Sequence, residues 1–225
     1  MTGRVFIVIP AYNEQAAVFD VVRGVRADYA DILVVDDGSR DNTAAEAKRG
    51  GATVLRHIIN RGQGAALQTG IEYAVLRGAD IIVTFDADGQ HRVEDVARLV
   101  DALESSGADV VIGSRFLELR SNVPGFRRAL LQLAAVFMRI TSGVALTDAH
   151  NGLRAIRRRA AQKIRLTIDG MAHASEIVDE IHRLKLRVVE VPVVVRYSEY
   201  SLRKGQSSIA AFRIAFDYLM KRLFR

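Results

Sequence analysis

Three short Ile/Val-rich runs, each ending in a polar, mostly acidic turn, leave this chain few folds to choose from. Val5-Phe6-Ile7-Val8-Ile9 runs into Pro10-Ala11-Tyr12-Asn13-Glu14. Ile32-Leu33-Val34-Val35 ends in Asp36-Asp37-Gly38-Ser39-Arg40-Asp41-Asn42-Thr43, and Ile81-Ile82-Val83-Thr84-Phe85 in Asp86-Ala87-Asp88-Gly89-Gln90-His91. Apolar runs of this length, closed by turn residues, are buried strands. Further strand-like runs lie near 53–56 and 108–113, with helical patterns near 15–26, 43–49, 64–77 and 93–104. Val93, Val96, Leu99, Val100 and Leu103, for instance, share one helical face. Such alternation predicts an α/β protein: a Rossmann-like, mostly parallel sheet with helices on both faces. Ligands bind such sheets at the C-terminal ends of the strands, so three polar turns on that edge predict a site.

Beyond Gly113 the pattern changes. Gly125 to Leu146 is apolar but interrupted by Arg127, Arg128, Gln132 and Arg139, which predicts an amphipathic helix. Ala174 to Leu186 predicts a packed helix, and Val188 to Val195 a strand that Pro192 places at an edge or bulge. The tail from Ser208 sets Ile209, Phe212, Phe216, Leu219, Met220 and Leu223 against Arg213, Lys221, Arg222 and Arg225. The expected organisation is one catalytic domain over 1–207 and a basic amphipathic helix over 208–225.

Composition narrows the chemistry. The chain has no cysteine, which excludes disulfides and thiolate metal sites. No run approaches the roughly 18 uninterrupted apolar residues of a membrane span, and the polar turn after the first strand comes too early for a signal peptide. The net charge of +6 is uneven, with Arg and Lys crowded between Arg115 and Arg225. No nucleic-acid motif or aromatic-glycine patch accompanies them, so the expected partners are a phosphorylated substrate and a membrane surface, not nucleic acid.

The third acidic turn carries the sharpest chemistry. Two carboxylates one residue apart can share a hard divalent cation that offsets their repulsion, and Mg²⁺ usually keeps substrate phosphates in its shell. A bare D-x-D is weak evidence, and the two other polar turns on the same edge strengthen it. Arg61-Gly62-Gln63-Gly64 precedes a helix, where glycines let backbone N–H groups approach an anion. His91, alone after its turn, is expected at the surface or in a local hydrogen bond. The run Arg157-Arg158-Arg159 is expected to be solvated.

Together, Val8-Ile9-Pro10-Ala11-Tyr12-Asn13-Glu14, Asp36-Asp37-Gly38-Ser39, Asn60-Arg61-Gly62-Gln63-Gly64, Asp86-Ala87-Asp88 and Gly113-Ser114-Arg115-Phe116 resemble the family 2 glycosyltransferases of GT-A fold. The likeness, over residues 5 to about 207, is to the branch of dolichol-phosphate mannose synthase and bacterial polyprenyl-phosphate sugar transferases. That resemblance implies inverting transfer of a sugar from a GDP-, UDP- or dTDP-sugar to a polyprenyl phosphate, dolichyl or undecaprenyl. Pro10, Tyr12, Asn13, Glu14 and Asp37 would hold base and ribose, with Gly62, Gly64 and Asp86 also on the nucleotide sugar. Asp86 and Asp88 would bind Mg²⁺ or Mn²⁺, with Gln90 as a third oxygen ligand and Asp88 essential to catalysis.

The acceptor chemistry stays open between two mechanisms. A lipid phosphate has a second pKa near ~6 and is largely dianionic at neutral pH, so it needs cations and no base. Arg115, Arg127 and Arg128 are placed for that, as are Arg203 and Lys204, with Arg196, in a loop that closes over the site in relatives. In the segment Thr147 to Arg154, Asp148 would instead be the base for a glycan hydroxyl, or would fix the loop by capping. A non-catalytic sugar-nucleotide subunit is the distant alternative. The expected location is the cytoplasmic face of the membrane, peripherally bound, beside a small membrane protein or a second copy of the chain.

Overall fold

The computed structural model describes residues 3–118, 123 and 125–196. The first half alternates as expected: β1 (Val5–Ala11), α1 (Val18–Arg26), β2 (Asp31–Asp36), α2 (Thr43–Gly50), β3 (Thr53–Arg56), α3 (Gln63–Leu76), β4 (Ile81–Thr84), α4 (Glu94–Ser106) and β5 (Val110–Ser114). The second half adds α5 (Gly125–Ser142), β6 (Arg154–Arg157), α6 (Arg158–Ala161), α7 (His173–Arg183) and β7 (Val188–Pro192). The 208–225 segment, Arg203 and Lys204 lie outside the described residues.

One seven-stranded sheet, in the order β3-β2-β1-β4-β6-β5-β7, organises these elements. Strand direction places the two halves of the core. In β1, Phe6 and Val8 face α3, α5 and α7, while Ile7 and Ile9 face α1 and α4, the period-2 alternation of a strand covered on both sides. Ile7, Val8 and Ile9 are fully buried, and each such side chain contributes about 1.5–3 kcal/mol over an exposed one. Helix α3 lies close against β1 because residue 70 is glycine. A Cβ there would stand 2.3 Å from Val8 Cγ1. From β1 the chain winds to β2 and β3 on one side, then returns to place β4 on the other, parallel to β1. That reversal opens a crevice at the C-terminal ends of β1 and β4, where the polar turns sit.

The antiparallel element lies inside the sheet. Strand β6 pairs antiparallel with both β4 and β5, setting Arg154 opposite Thr84 and Ile112. The segment before it therefore enters from the edge that β4 and β5 leave. Arg-Ala-Ile-Arg is too short and too charged at its ends for its pattern to announce a central strand. Its neighbours correct the solvated reading of the arginine run at Arg157, while Arg159 stays exposed as expected. Arg157 donates to the carbonyls of Leu103 and Ala108 at the end of α4, and Arg159 pairs with Asp109 at 2.6 Å. Strand β7 is an edge strand and stops at Pro192, short of the expected Val195. Proline has no N–H for the ladder, and Asp95 then accepts from the Val194 amide at 2.9 Å.

Candidate active site

At the end of β4 the backbone turns so that Asp86 and Asp88 share the crevice. Asp86 is held on two sides: His91 Nε2 lies 2.9 Å from Oδ2, and Gln63 Nε2 donates to Oδ1 at 3.2 Å. His91 is a local partner, as expected, but it is buried, not at the surface, with its ring set edge-on to Phe85. Gly152 passes so near that a Cβ would stand 2.3 Å from Asp86 Oδ2. Burial pushes the Asp86 carboxyl up, but the His91 hydrogen bond and the fields of His91, Arg154 and His173 outweigh it, leaving a lowered pKa. Asp88 goes the other way. Burial, then the charge of Asp86, and to a lesser degree Glu14, raise it to about 6 against the Gln90 amide, which donates to its Oδ1 at 3.0 Å.

This donor set fits a hard divalent cation. Two carboxylates one residue apart, one of them raised by the other, form a site whose repulsion a cation relieves. Among the described residues, no third His, Cys, Asp or Glu completes a cage. The pair would supply part of a shell, as in Mg²⁺ sites that also take phosphate oxygens and water. The half-buried Gln90 lies on the same turn.

The nucleotide side is built from β1 and β2. Pro10 is buried beside Val35, and Tyr12 is exposed at the rim. Asn13 adopts a left-handed φ of 54°, its side-chain oxygen accepting from the Arg40 amide and its own amide donating to Ser39. Glu14 stands near enough for its charge to act on Asp88. Asp37 is placed differently from a ligand-facing carboxylate. It is 2% exposed, and its oxygens accept from His57 Nδ1 at 2.7 Å and from the amides of Arg61 and Gly62 at 3.0 and 2.6 Å. It ties down the loop that leads into α3. The glycines of that loop serve close approach: Cβ atoms at Gly62 and Gly64 would lie 2.4 and 2.0 Å from the carbonyl oxygens of Asp169 and Ile168. The Gly64 amide donates to the Asp169 carbonyl at 2.7 Å.

On the acceptor side the structure joins two residues that the sequence assigned to different mechanisms. Arg115, just past β5, donates from Nε to Asp148 Oδ2 at 2.6 Å, and its amide donates to the same oxygen. Both residues are buried, and Asn151 adds a third donor to that oxygen at 3.2 Å. Glu190 accepts from the amides of Thr147 and Asp148 and so fixes the loop. Arg127 and Arg128 lie in the first turn of α5, and the half-buried Arg128 has an Nε without a hydrogen-bond partner.

Sequence reasoning passed over Arg154, His150, His173 and Gln63. Arg154 stood inside the segment singled out for Asp148, at the end of Asn-Gly-Leu-Arg, and its signal was a charge next to an apolar strand. His150 and His173 are both depressed to about 4, by burial and then by the charge of Arg154.

Known proteins with this arrangement are recognisable. Residues 6–165 match the model of the glycosyl transferase family 2. The UDP-N-acetylglucosamine–dolichyl-phosphate N-acetylglucosaminyltransferase of Methanococcus voltae is 31% identical, over 97% of this chain and 96% of its own. The polyprenol monophosphomannose synthase of Mycolicibacterium smegmatis is 34% identical, over 95% and 86%. Glucosyl-3-phosphoglycerate synthase from Mycobacterium tuberculosis, solved with Mn²⁺, UDP-glucose and phosphoglyceric acid, superposes with a TM-score of 0.75 at 20% identity, over 96% of this chain and 77% of that one. The fold is GT-A.

The raised Asp88 gives a stability signature. Its folded pKa of about 6 exceeds the ordinary 3.8, so the folded chain holds a proton that the unfolded chain lacks between those values. The stabilisation from that proton is complete below the ordinary value and is lost as pH rises through about 6. At pH ~7.5 in EDTA, Asp88→Asn is therefore expected to be more stable than the parent by about 1–2 kcal/mol, discounted for partial exposure, with the gain fading towards pH ~4. Thermal melts at both pH values check this, and Mn²⁺ is expected to reverse the order. Coincident melts throughout would contradict it.

Proposed function

This chain belongs to glycosyl transferase family 2, and we propose that it transfers one sugar, with inversion, from a nucleotide sugar to a polyprenyl phosphate. The observation that carries the acceptor assignment is the Arg115–Asp148 pair. A hydroxyl acceptor needs a free base, and Asp148 Oδ2 is held by a buried guanidinium at 2.6 Å and by Asn151, which casts Asp148 as an ion-pair partner. A phosphate acceptor needs cations, and Arg115, Arg127, Arg128, Arg203 and Lys204 are the candidates to supply them. The two relatives named for transfer to dolichyl phosphate or polyprenol support the same acceptor class.

Asp86 and Asp88, with Gln90, are the proposed ligands of Mg²⁺ or Mn²⁺, which supplies Lewis-acid stabilisation of the departing nucleoside diphosphate. Tyr12 offers the base a ring face, and Asn13 and Glu14 offer polar atoms to base and ribose. Pro10 shapes the turn. Asp37, Gly62 and Gly64 act by holding the loop against which the nucleotide sugar rests. His91 and Gln63 keep Asp86 oriented. Among the described residues no crevice side chain announces itself as a covalent nucleophile, and a single in-line displacement would invert the anomeric carbon.

The reading separates Asp88 from Asp148. Asp88→Ala is expected to cut turnover at least about a thousandfold, the several kcal/mol of transition-state stabilisation lost with the ion. Asp148→Asn is expected to leave kcat on farnesyl phosphate within about tenfold, whereas loss of a general base costs roughly 10²–10⁴. Steady-state rates with each variant check both expectations. A severe Asp148→Asn defect with a glycan acceptor would favour the hydroxyl mechanism.

The proposal places the enzyme on the cytoplasmic membrane surface, alone, with a second copy, or beside a small membrane protein. No described helix is long and apolar enough to cross a membrane. Helix α5 exposes Leu133 and Val136, 66% and 54%, beside exposed Arg139, a composition suited to the interface. The 208–225 tail, which we propose as a separate basic helix, would add about 1 kcal/mol per Lys or Arg at an anionic surface, screened by salt. Flotation with anionic vesicles is expected to weaken on truncation after Ser207 and at high ionic strength. Equal flotation of the truncated chain would remove the tail from the account.

A further inference from the structure

Arg154 is a cation in a place that should not tolerate one unpaired. It is 1% exposed, and Nε, Nη1 and Nη2 are all buried with no hydrogen-bond partner. A guanidinium presents five N–H donors and stays charged inside proteins, so leaving all of them idle is expensive. Burial lowers it to about 10 while the charges of Asp86 and Asp148 hold it up, so at neutral pH it remains a cation. Both carboxylates are near enough to act on it, yet each is bonded elsewhere: Asp86 to His91 and Gln63, Asp148 to Arg115 and Asn151.

The backbone explains the juxtaposition. Arg154 opens β6 between Thr84, two residues before Asp86, and Ile112, three before Arg115. Asp148 begins the turn that feeds this strand, and the turn is pinned at both ends. The Asp148 amide donates to Glu190 at 3.0 Å, and the Leu153 amide donates to Asn151 Oδ1 at 3.0 Å. The carboxylate can therefore turn about its side-chain torsions while its backbone stays fixed.

We propose that Arg154 is a positioning residue for acceptor binding: when a phosphate takes the Arg115 guanidinium, the Asp148 carboxylate turns from Arg115 to Arg154. This rests on the reading of Arg115 as a phosphate-binding residue. Without a second cation, freeing Arg115 would strand Asp148 buried and unpaired, a penalty set against acceptor affinity. With Arg154 in place, the arriving phosphate exchanges one buried ion pair for two and satisfies a guanidinium that was idle. The exchange also keeps the Asp148 carboxylate against a guanidinium throughout, so that it never faces the phosphate without a counter-charge.

The test follows the Arg154 Nε–H resonance in ¹H–¹⁵N spectra of the wild-type chain. It is assigned by its absence in Arg154→Lys or, should that variant not fold, by through-bond correlation to its own backbone. Farnesyl phosphate is the acceptor probe, and its ³¹P signal reports binding independently. The expected result is a downfield shift and slowed solvent exchange of Arg154 Nε–H in step with the ³¹P titration. Binding seen by ³¹P with Arg154 unmoved overturns the exchange but leaves the acceptor assignment standing. Absence of ³¹P binding overturns both. Kinetics supply the second arm. Arg154→Met is expected to raise KM for farnesyl phosphate at least about tenfold, one lost pairing of ~1.4 kcal/mol, a larger effect than on Mn²⁺–nucleotide affinity, with Arg154→Lys restoring most of the loss. A uniform loss of both affinities would mark Arg154 as merely structural.

Discussion

Two like charges one residue apart at the end of a buried strand are the constraint on which this site depends. Asp86 and Asp88 cannot both be comfortably ionised in a partly desolvated crevice, and the molecule resolves this asymmetrically. Asp86 is held in its charged form by His91, Gln63 and the field of Arg154, while Asp88 rises to about 6. The surroundings are shaped to the same end. Gly152 gives up a side chain to leave room for the Asp86 carboxylate, and His91 gives up exposure to reach it. A site that stores repulsion in this way is suited to a cation and to the phosphates such a cation carries.

The second constraint is topological. In a purely parallel sheet the segment before the strand that follows β5 would lie at the far edge, away from the crevice. Strand β6 runs backwards between β4 and β5, so the turn carrying Asp148 and Asn151 and the strand start at Arg154 arrive on the edge that already holds Asp86 and Arg115. Donor and acceptor sides of the crevice thereby meet across one antiparallel strand.

What the sequence made legible followed from local pattern. The first half of the fold could be read because its strands are continuous Ile/Val runs and its helices keep a clean period, and the acid pair because it ends such a run. The central strand β6 escaped notice because four residues with arginine at each end carry no period, and only pairing on both sides makes them a strand. Partners far apart in the chain were equally hidden. The turn that carries Asp37 gives no sign of its contacts with His57 and with the Arg61 and Gly62 amides. Asp148 and Arg115, 33 residues apart, were assigned to rival mechanisms before they proved to be one ion pair. Arg154 carried only the weak signal of a charge beside an apolar strand, since burial of a charge is a property of the fold and not of its neighbours in sequence.

The most direct test of the account is the identity of the product. The enzyme is incubated with Mn²⁺, farnesyl phosphate and, in turn, GDP-, UDP- and dTDP-sugars, and the product is analysed by mass spectrometry and by ¹H and ³¹P NMR. The account predicts a farnesyl phosphosugar from one donor, with the sugar joined through phosphate and its anomeric configuration opposite to that in the donor. A product joined to a glycan hydroxyl, or one that retains the donor's configuration, would contradict it.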